Sequence, residues 1–103
     1  MFLRITVGSD EPVTLHEADD FGRFHVEVVG MDAIQLRTTV EQHHLGRVAD
    51  GDHVDVRVAA LSTLAGPRGP EWDTQFASML SYAGSKGWMP DTEHVRAHCE
   101  WVG

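Results

Sequence analysis

Residues 94–101 alternate between apolar and polar side chains without interruption, and this pattern limits what the chain can fold into more than any other feature. The apolar positions are Val95, Ala97, Cys99 and Trp101, and the polar positions are His94, Arg96, His98 and Glu100. A period of two places successive side chains on opposite faces of a β-strand. A helical interpretation leaves only the weaker stripe of Val95, Cys99 and Val102. The segment is therefore predicted to be a strand with one buried and one polar face.

Further segments show the same alternation over shorter lengths. Residues 2–7 and 23–29 are predicted as strands, and residues 53–56 as a short strand. Turn-forming residues cluster at 8–12 and 50–52, which favours breaks in the chain there.

Two segments have a helical period. Residues 70–83 place apolar side chains at helical spacing, namely Trp72, Phe76, Met79, Leu80 and Ala83, and Pro70 suits the first helical position. Residues 56–65 are predicted as a helix that Asp55 caps and that ends at Gly66. Thr14 and Glu17 have the spacing of a capping box, which predicts a short helical turn over 15–20.

Residues 33–44 fit either a helix or a strand. As a helix, the segment has Asp32 as its cap, a stripe of Ala33, Leu36 and Val40, and Gly46 as its stop. As a strand, Ile34, Leu36, Thr38 and Val40 alternate equally well, and threonine favours that state. We predict the helix.

These segments together predict an α+β fold in a single domain, residues 1–103. The expected architecture is a small antiparallel sheet of three to four strands with two to three helices packed on one face. A chain of 103 residues has room for one modest core and for no second cofactor-binding domain.

Charge and composition exclude several classes of partner. A net charge of −8 argues against a nucleic acid and against an anionic membrane surface as partner. No apolar run is long enough to span a membrane, and the first residues do not resemble a signal peptide. The lone Cys99 cannot form an internal disulfide, so we expect a cytoplasmic protein. Seven arginines against one lysine indicate a GC-rich, bacterial genome.

The polar face of the sheet carries the candidate functional residues. Two His-x-Glu pairs, His25 with Glu27 and His98 with Glu100, each lie on one side of a predicted strand. A carboxylate beside an imidazole holds one ring nitrogen protonated and leaves the other to accept a proton. We therefore predict acid–base chemistry of an isomerase or lyase type on a small carbonyl- or carboxylate-bearing molecule. His98 is the expected base, and Glu100 or Glu27 the orienting carboxylate.

Arginines on the same face are the expected anion binders. Arg96 and Arg4 are predicted to hold a substrate carboxylate through the guanidinium fork. The same histidines and glutamates have the donor types of a zinc or iron site, but no ligand spacing of a known type supports one, so no metal and no organic cofactor is predicted. His16 and His53 receive no role, and Cys99 is expected to be a buried, inert thiol.

The alternative to an enzyme is a non-catalytic domain. A polar sheet face is ordinary in antiparallel sheets and needs no function. In this interpretation the polar face, or Trp88 and Trp101, forms a partner surface, and we expect a homodimer.

Overall fold

The computed structural model describes residues 1–102. Six strands and three helices follow one another along this part of the chain. In chain order they are β1 (Phe2–Thr6), β2 (Val13–His16), β3 (His25–Val29), α1 (Ala33–Gln42), β4 (Gly46–Asp50), β5 (His53–Arg57), α2 (Val58–Ala65), α3 (Pro70–Ser85) and β6 (His94–Val102). None of the helices in residues 1–102 has both the length and the apolar character to cross a membrane.

The strands form one mixed sheet in the order β2-β1-β3-β6-β5-β4. β1, β3 and β6 are parallel to one another, and the remaining pairs are antiparallel. The α+β class is confirmed, but the prediction of three to four antiparallel strands is wrong in number and direction. The chain between β3 and β6 contains all three helices, and so long a crossover lets two neighbouring strands run the same way.

The two edge strands are the ones that the sequence patterns missed. The helical turn predicted over 15–20 is wrong, because residues 13–16 form β2 and pair antiparallel with β1. The hydroxyl of Thr14 bonds the ring of His16 at 2.8 Å instead of capping a helix. β4 was not predicted because its sequence does not alternate regularly between apolar and polar residues. Its exposed polar positions are typical of a protected sheet edge.

Helix α1 resolves the ambiguous segment in favour of the helix. Asp32 accepts a hydrogen bond from the backbone amide of Gln35 at 2.8 Å, and the side chain of Gln35 accepts one from the amide of Asp32 at 3.0 Å. This reciprocal capping box gives the helix an advantage that the strand lacks. The helix ends at Gln42, two residues before the predicted end, and Leu36 and Val40 are its buried residues.

Gly46 has a different role from the predicted helix stop. It begins β4, and its φ of +142° is a conformation that side chains rarely adopt. A Cβ atom at this position would collide with the backbone carbonyl of Asp55. Glycine is therefore required because β4 and β5 approach too closely for a side chain.

One apolar core lies between the helices and one face of the sheet. It combines alternate strand residues, including Leu3, Val26, Val54 and Val95, with helical residues, including Leu36, Leu61, Trp72 and Phe76. The prediction of helices on one face is confirmed by this shared core. Trp101 belongs to the strand face that is buried elsewhere, but its side chain is 42% exposed, so the prediction that it is buried is wrong.

Candidate functional site

The face of the sheet opposite the helices, called the open face below, collects the polar side chains of the strands. Its main members are Phe2, Arg4, His16, His25, Glu27, His53, Asp55, Arg96, His98 and Glu100. All six residues predicted as catalytic or substrate-binding lie on it. Their assignment to one face followed from the alternation of the strands.

A row of rings crosses five strands of the open face. Strand register places His16 beside Phe2, Phe2 beside His25, His25 beside His98, and His98 beside His53. The ring of Phe2 is stacked between those of His16 and His25, with centroids 5.0 and 4.9 Å away. We call these five residues the histidine row. His16 and His53 were missed in the sequence because only strand pairing, and no local motif, brings them there.

The two His-x-Glu pairs lie side by side with like residues adjacent. Because β3 and β6 are parallel and in register, His25 is opposite His98 and Glu27 is opposite Glu100. One ligand atom from each of His25, Glu27 and Glu100 lies within 4.8 Å of the other two. The Nε2 atom of His25 is 3.4 Å from a carboxylate oxygen of Glu100. We call these three residues the His25 cluster.

The contacts within the open face differ from the predicted pairing. Glu100 approaches His25, and Glu27 accepts a hydrogen bond from Nε of Arg4 at 3.0 Å. Among the described residues, neither carboxylate therefore provides the predicted orientation of His98. Arg4 also lies over the ring of Phe2, 5.5 Å from its centroid. Its guanidinium is thus engaged by a carboxylate and a ring of the protein itself.

Arg96 is tied to a buried carboxylate that was assigned another role. Its Nε and Nη2 atoms donate to the two oxygens of Asp55 at 2.8 and 3.3 Å, and Arg47 donates to Asp55 at 3.3 Å. We call Arg47, Asp55 and Arg96 the arginine–aspartate cluster. The prediction that Asp55 caps α2 is wrong, because Asp55 belongs to β5 and α2 begins at Val58 without a side-chain cap.

The protonation of Asp55 is set by two opposing effects. Burial raises the pKa of this carboxyl, and the hydrogen bonds and charges of Arg96 and then Arg47 lower it more, so the net pKa is below the ordinary value. Asp55 in turn raises the pKa of Arg96. The carboxylate is thus held ionised. Arg47 also donates a hydrogen bond to Asp91 at 3.3 Å, so the two guanidinium groups are balanced by two carboxylates.

A pocket of about 220 Å³ opens beside this cluster. Phe24, His53, Trp88, Arg96 and His98 line it, and we call it the imidazole pocket. The rings of His53 and His98 meet nearly edge to face, with centroids 5.6 Å apart. The backbone carbonyl of Trp88 accepts a hydrogen bond from the amide of Arg96 at 2.6 Å, which fixes the wall that Trp88 forms. Sequence reasoning placed His98 and Arg96 together, and missed the aromatic wall.

Cys99 faces the core and is 3% exposed. Burial, followed by the nearby charges of Asp52 and Asp50, raises the pKa of its thiol to about 11. A protonated, buried thiol is a poor nucleophile. The prediction of a buried residue is confirmed.

Comparison with known proteins adds no identification to this geometry. The chain matches no family model, and neither curated proteins nor solved structures show a significant similarity to it.

Proposed function

We propose that the protein binds a small carbonyl- or carboxylate-bearing molecule in the imidazole pocket and exchanges a proton with it through His98. The observation that carries the proposal is the convergence of Arg96, His98 and His53 in one concave site with aromatic walls. Small-molecule sites typically combine apolar walls with a few convergent polar groups. The volume fits a ligand of only a few non-hydrogen atoms.

Arg96 supports the binding of an anionic group. Its bonds to Asp55 use Nε and Nη2, so the edge that carries Nη1 lies outside this fork. A guanidinium anchored by a buried carboxylate is also held in place before a ligand arrives, which reduces the entropy lost on binding.

His98 supports the proton transfer. It is exposed on the open face, and His53 packs against its ring from the neighbouring strand. An imidazole changes charge near neutral pH and accepts or donates protons readily. A proton next to a carbonyl becomes acidic when an adjacent cation stabilises the enolate. Arg96 and His98, which line the same pocket, supply these two groups.

The proposal includes a cytoplasmic location. Cys99 is a buried free thiol, and the fold holds without a disulfide among residues 1–102. Disulfide-free cores are typical of reducing compartments.

The chemistry is testable without knowing the natural substrate. We expect the protein to accelerate exchange of the methyl protons of pyruvate for deuterium in D2O, followed by proton NMR. The variant His98→Asn should lose at least tenfold of the acceleration, since a general base contributes about 10²-fold or more. Arg96→Lys should weaken the binding of pyruvate, measured from the shift of the Trp88 indole resonance.

The control is His43→Asn, a change at an exposed histidine after α1. It should leave both measurements unchanged. Exchange of the pyruvate methyl protons no faster than in buffer, or equal exchange by wild type and His98→Asn, would overturn the proposal.

A homodimer is our second candidate, favoured by apolar side chains near the carboxyl ends of the parallel strands. Val7, Trp101 and Val102 are 47, 42 and 45% exposed. Exposed apolar groups that lie close together often mark contacts between proteins. Sedimentation equilibrium should give twice the chain mass of 11.4 kDa, and Trp101→Gln should restore the monomer. A monomer at millimolar concentration would exclude this candidate.

A further inference from the structure

The parallel register of β3 and β6 creates an unfavourable arrangement at the His25 cluster. Glu27 and Glu100 are register partners, so their carboxylates project from adjacent strands on the same face. Like charges directly opposite each other on a sheet are destabilising. The guanidinium of Arg4 contacts Glu27 and offsets part of the repulsion. Two carboxylates still outnumber one guanidinium, so the cluster attracts a further cation.

The imidazole of His25 is oriented toward these carboxylates. Stacking on Phe2, with 15° between the two ring planes, restrains the imidazole. Its Nε2 atom is 3.4 Å from Oε2 of Glu100. Two ligand atoms bound to one metal ion at about 2.1 Å lie roughly 3.0–3.4 Å apart. The distance between Nε2 of His25 and Oε2 of Glu100 is therefore already that between two ligands of one ion. Glu27 completes the set, because its ligand atom lies within 4.8 Å of those of His25 and Glu100.

The donor types select the class of cation. An imidazole nitrogen together with carboxylate oxygens suits Zn²⁺, Mn²⁺, Fe²⁺ or Co²⁺, whereas Mg²⁺ and Ca²⁺ prefer oxygen alone. Three protein ligands leave at least one position for water or an exogenous molecule, as in catalytic rather than structural zinc sites. Arg4 has the position of an outer residue that orients the Glu27 ligand, an arrangement common around metals.

We propose that His25, Glu27 and Glu100 bind one divalent first-row transition-metal ion on the open face. The site is built from residues outside the imidazole pocket, so this inference stands independently of the proposed function.

The test is titration of untagged protein with Zn²⁺ by calorimetry, with no organic acid present. We expect one ion per chain. Glu100→Gln and Glu27→Gln should each weaken binding at least tenfold, and the double variant should abolish it. Arg96→Lys, which alters the imidazole pocket, should bind Zn²⁺ as wild type does, and this separates failure of the metal site from failure of the proposed function.

Two controls match these substitutions. Glu41→Gln removes one negative charge from an exposed position of α1, and His16→Gln removes a histidine of the histidine row that lies outside the His25 cluster. Both should bind Zn²⁺ like wild type. Equal weakening in Glu41→Gln and Glu100→Gln would show a general charge effect and overturn the site.

A measurement on the wild type avoids dependence on any variant. Substoichiometric Mn²⁺ should broaden the NMR resonances of His25, Glu27 and Glu100 first, because paramagnetic relaxation falls steeply with distance. Broadening centred on His43 and His44, or no wild-type binding of Zn²⁺ at micromolar concentration, would overturn the proposal.

Discussion

The open face has two sides, the arginine–aspartate cluster and the His25 cluster, and they differ in how their charges are compensated. In the arginine–aspartate cluster, the carboxylate of Asp55 is 3% exposed and contacts two guanidinium groups. In the His25 cluster, the side chain of Glu100 is 56% exposed, and its partner is an imidazole at 3.4 Å. One side has its charge balanced within the protein, and the other has an excess of carboxylates at the surface.

This difference separates charged groups that stabilise the fold from charged groups that are available to a ligand. A buried charge is tolerated only when it is paired, so Asp55, Arg47 and Arg96 must remain together for the sheet to be stable. An exposed carboxylate costs little to leave partly paired, because water solvates it. The His25 cluster, which contributes least to stability, therefore has groups available to a metal ion, whereas Arg96 on the other side leaves only its Nη1 edge outside its bonds to Asp55. The imidazole pocket is lined by Arg96 from one side and by His98, the register partner of His25.

The largest expected effect tests the backbone beneath the arginine–aspartate cluster. Gly46→Ala should lower the free energy of unfolding by about 3 kcal/mol, because the new Cβ meets the carbonyl of Asp55 and φ is strained. Urea denaturation measures it. The control is Gly51→Ala, where no atom lies within 4 Å of the added Cβ. Equal unfolding free energies of the two variants would show that the backbone at Gly46 tolerates a side chain as readily as an exposed turn does.

Removing the charge of Asp55 should have the next largest effect. Asp55→Asn should cost about 2–3 kcal/mol, because both guanidinium groups lose a charged acceptor. Asp52→Asn, in the exposed turn before the same strand, should cost less than about 0.5 kcal/mol. Chemical denaturation of the two variants side by side gives the comparison. A similar small loss in both would remove the distinction between the two sides of the face.

Acid should destabilise the protein through Asp55 and Asp91, the two carboxylates that contact Arg47. A hydrogen bond from His94, followed by one from the backbone amide of Glu93, lowers the pKa of Asp91 from 3.8 to about 2. The pKa of Asp55 is also lowered. A carboxyl with a lowered folded-state pKa stabilises the fold above its unfolded value, so this contribution is complete above about pH 4 and is lost as the pH falls toward 2.

Unfolding free energies measured from pH 5 to pH 2 check this expectation. Asp91→Asn and Asp55→Asn should each decline less steeply than wild type below pH 4. A slope identical to that of wild type in both variants would contradict it.

The smallest effect is expected at the His25 cluster. In metal-free protein, Glu100→Gln should change the free energy of unfolding by less than about 0.5 kcal/mol, and the change should be stabilising, since it relieves repulsion with Glu27. Thermal unfolding against the charge-matched Glu41→Gln isolates the local contribution. A loss above about 1 kcal/mol would place Glu100 with Asp55 as a structural carboxylate and would break the comparison.

Strong periodicity made part of this arrangement predictable. Helix α3 and strand β6 carry long, regular patterns, and both were located correctly. The shared face of His25 and His98 followed from the alternation within each strand. These predictions depend only on local geometry, which the order of apolar and polar residues specifies.

The rest depends on pairing, which alternation does not encode. The alternation of apolar and polar residues in a strand is the same whether the neighbouring strand is parallel or antiparallel. The adjacency of Glu27 and Glu100 was therefore not predicted. His16 was placed in a helical turn because Thr14 and Glu17 have the spacing of a capping box. Asp55 resembled a helix cap because it lies just before α2, whereas its arginine partners come from β4 and β6.

The central position of β6 has a consequence for how the molecule reaches its folded state. β6 follows every other described element in the chain, yet it lies between β3 and β5. Before it is in place, the sheet consists of two separate halves, each with an unpaired inner edge. Such edges are prone to pairing with other chains, and closing them requires contacts between residues far apart in sequence, which slows folding. The histidine row spans this junction, so the row is complete only after β6 has joined the two halves.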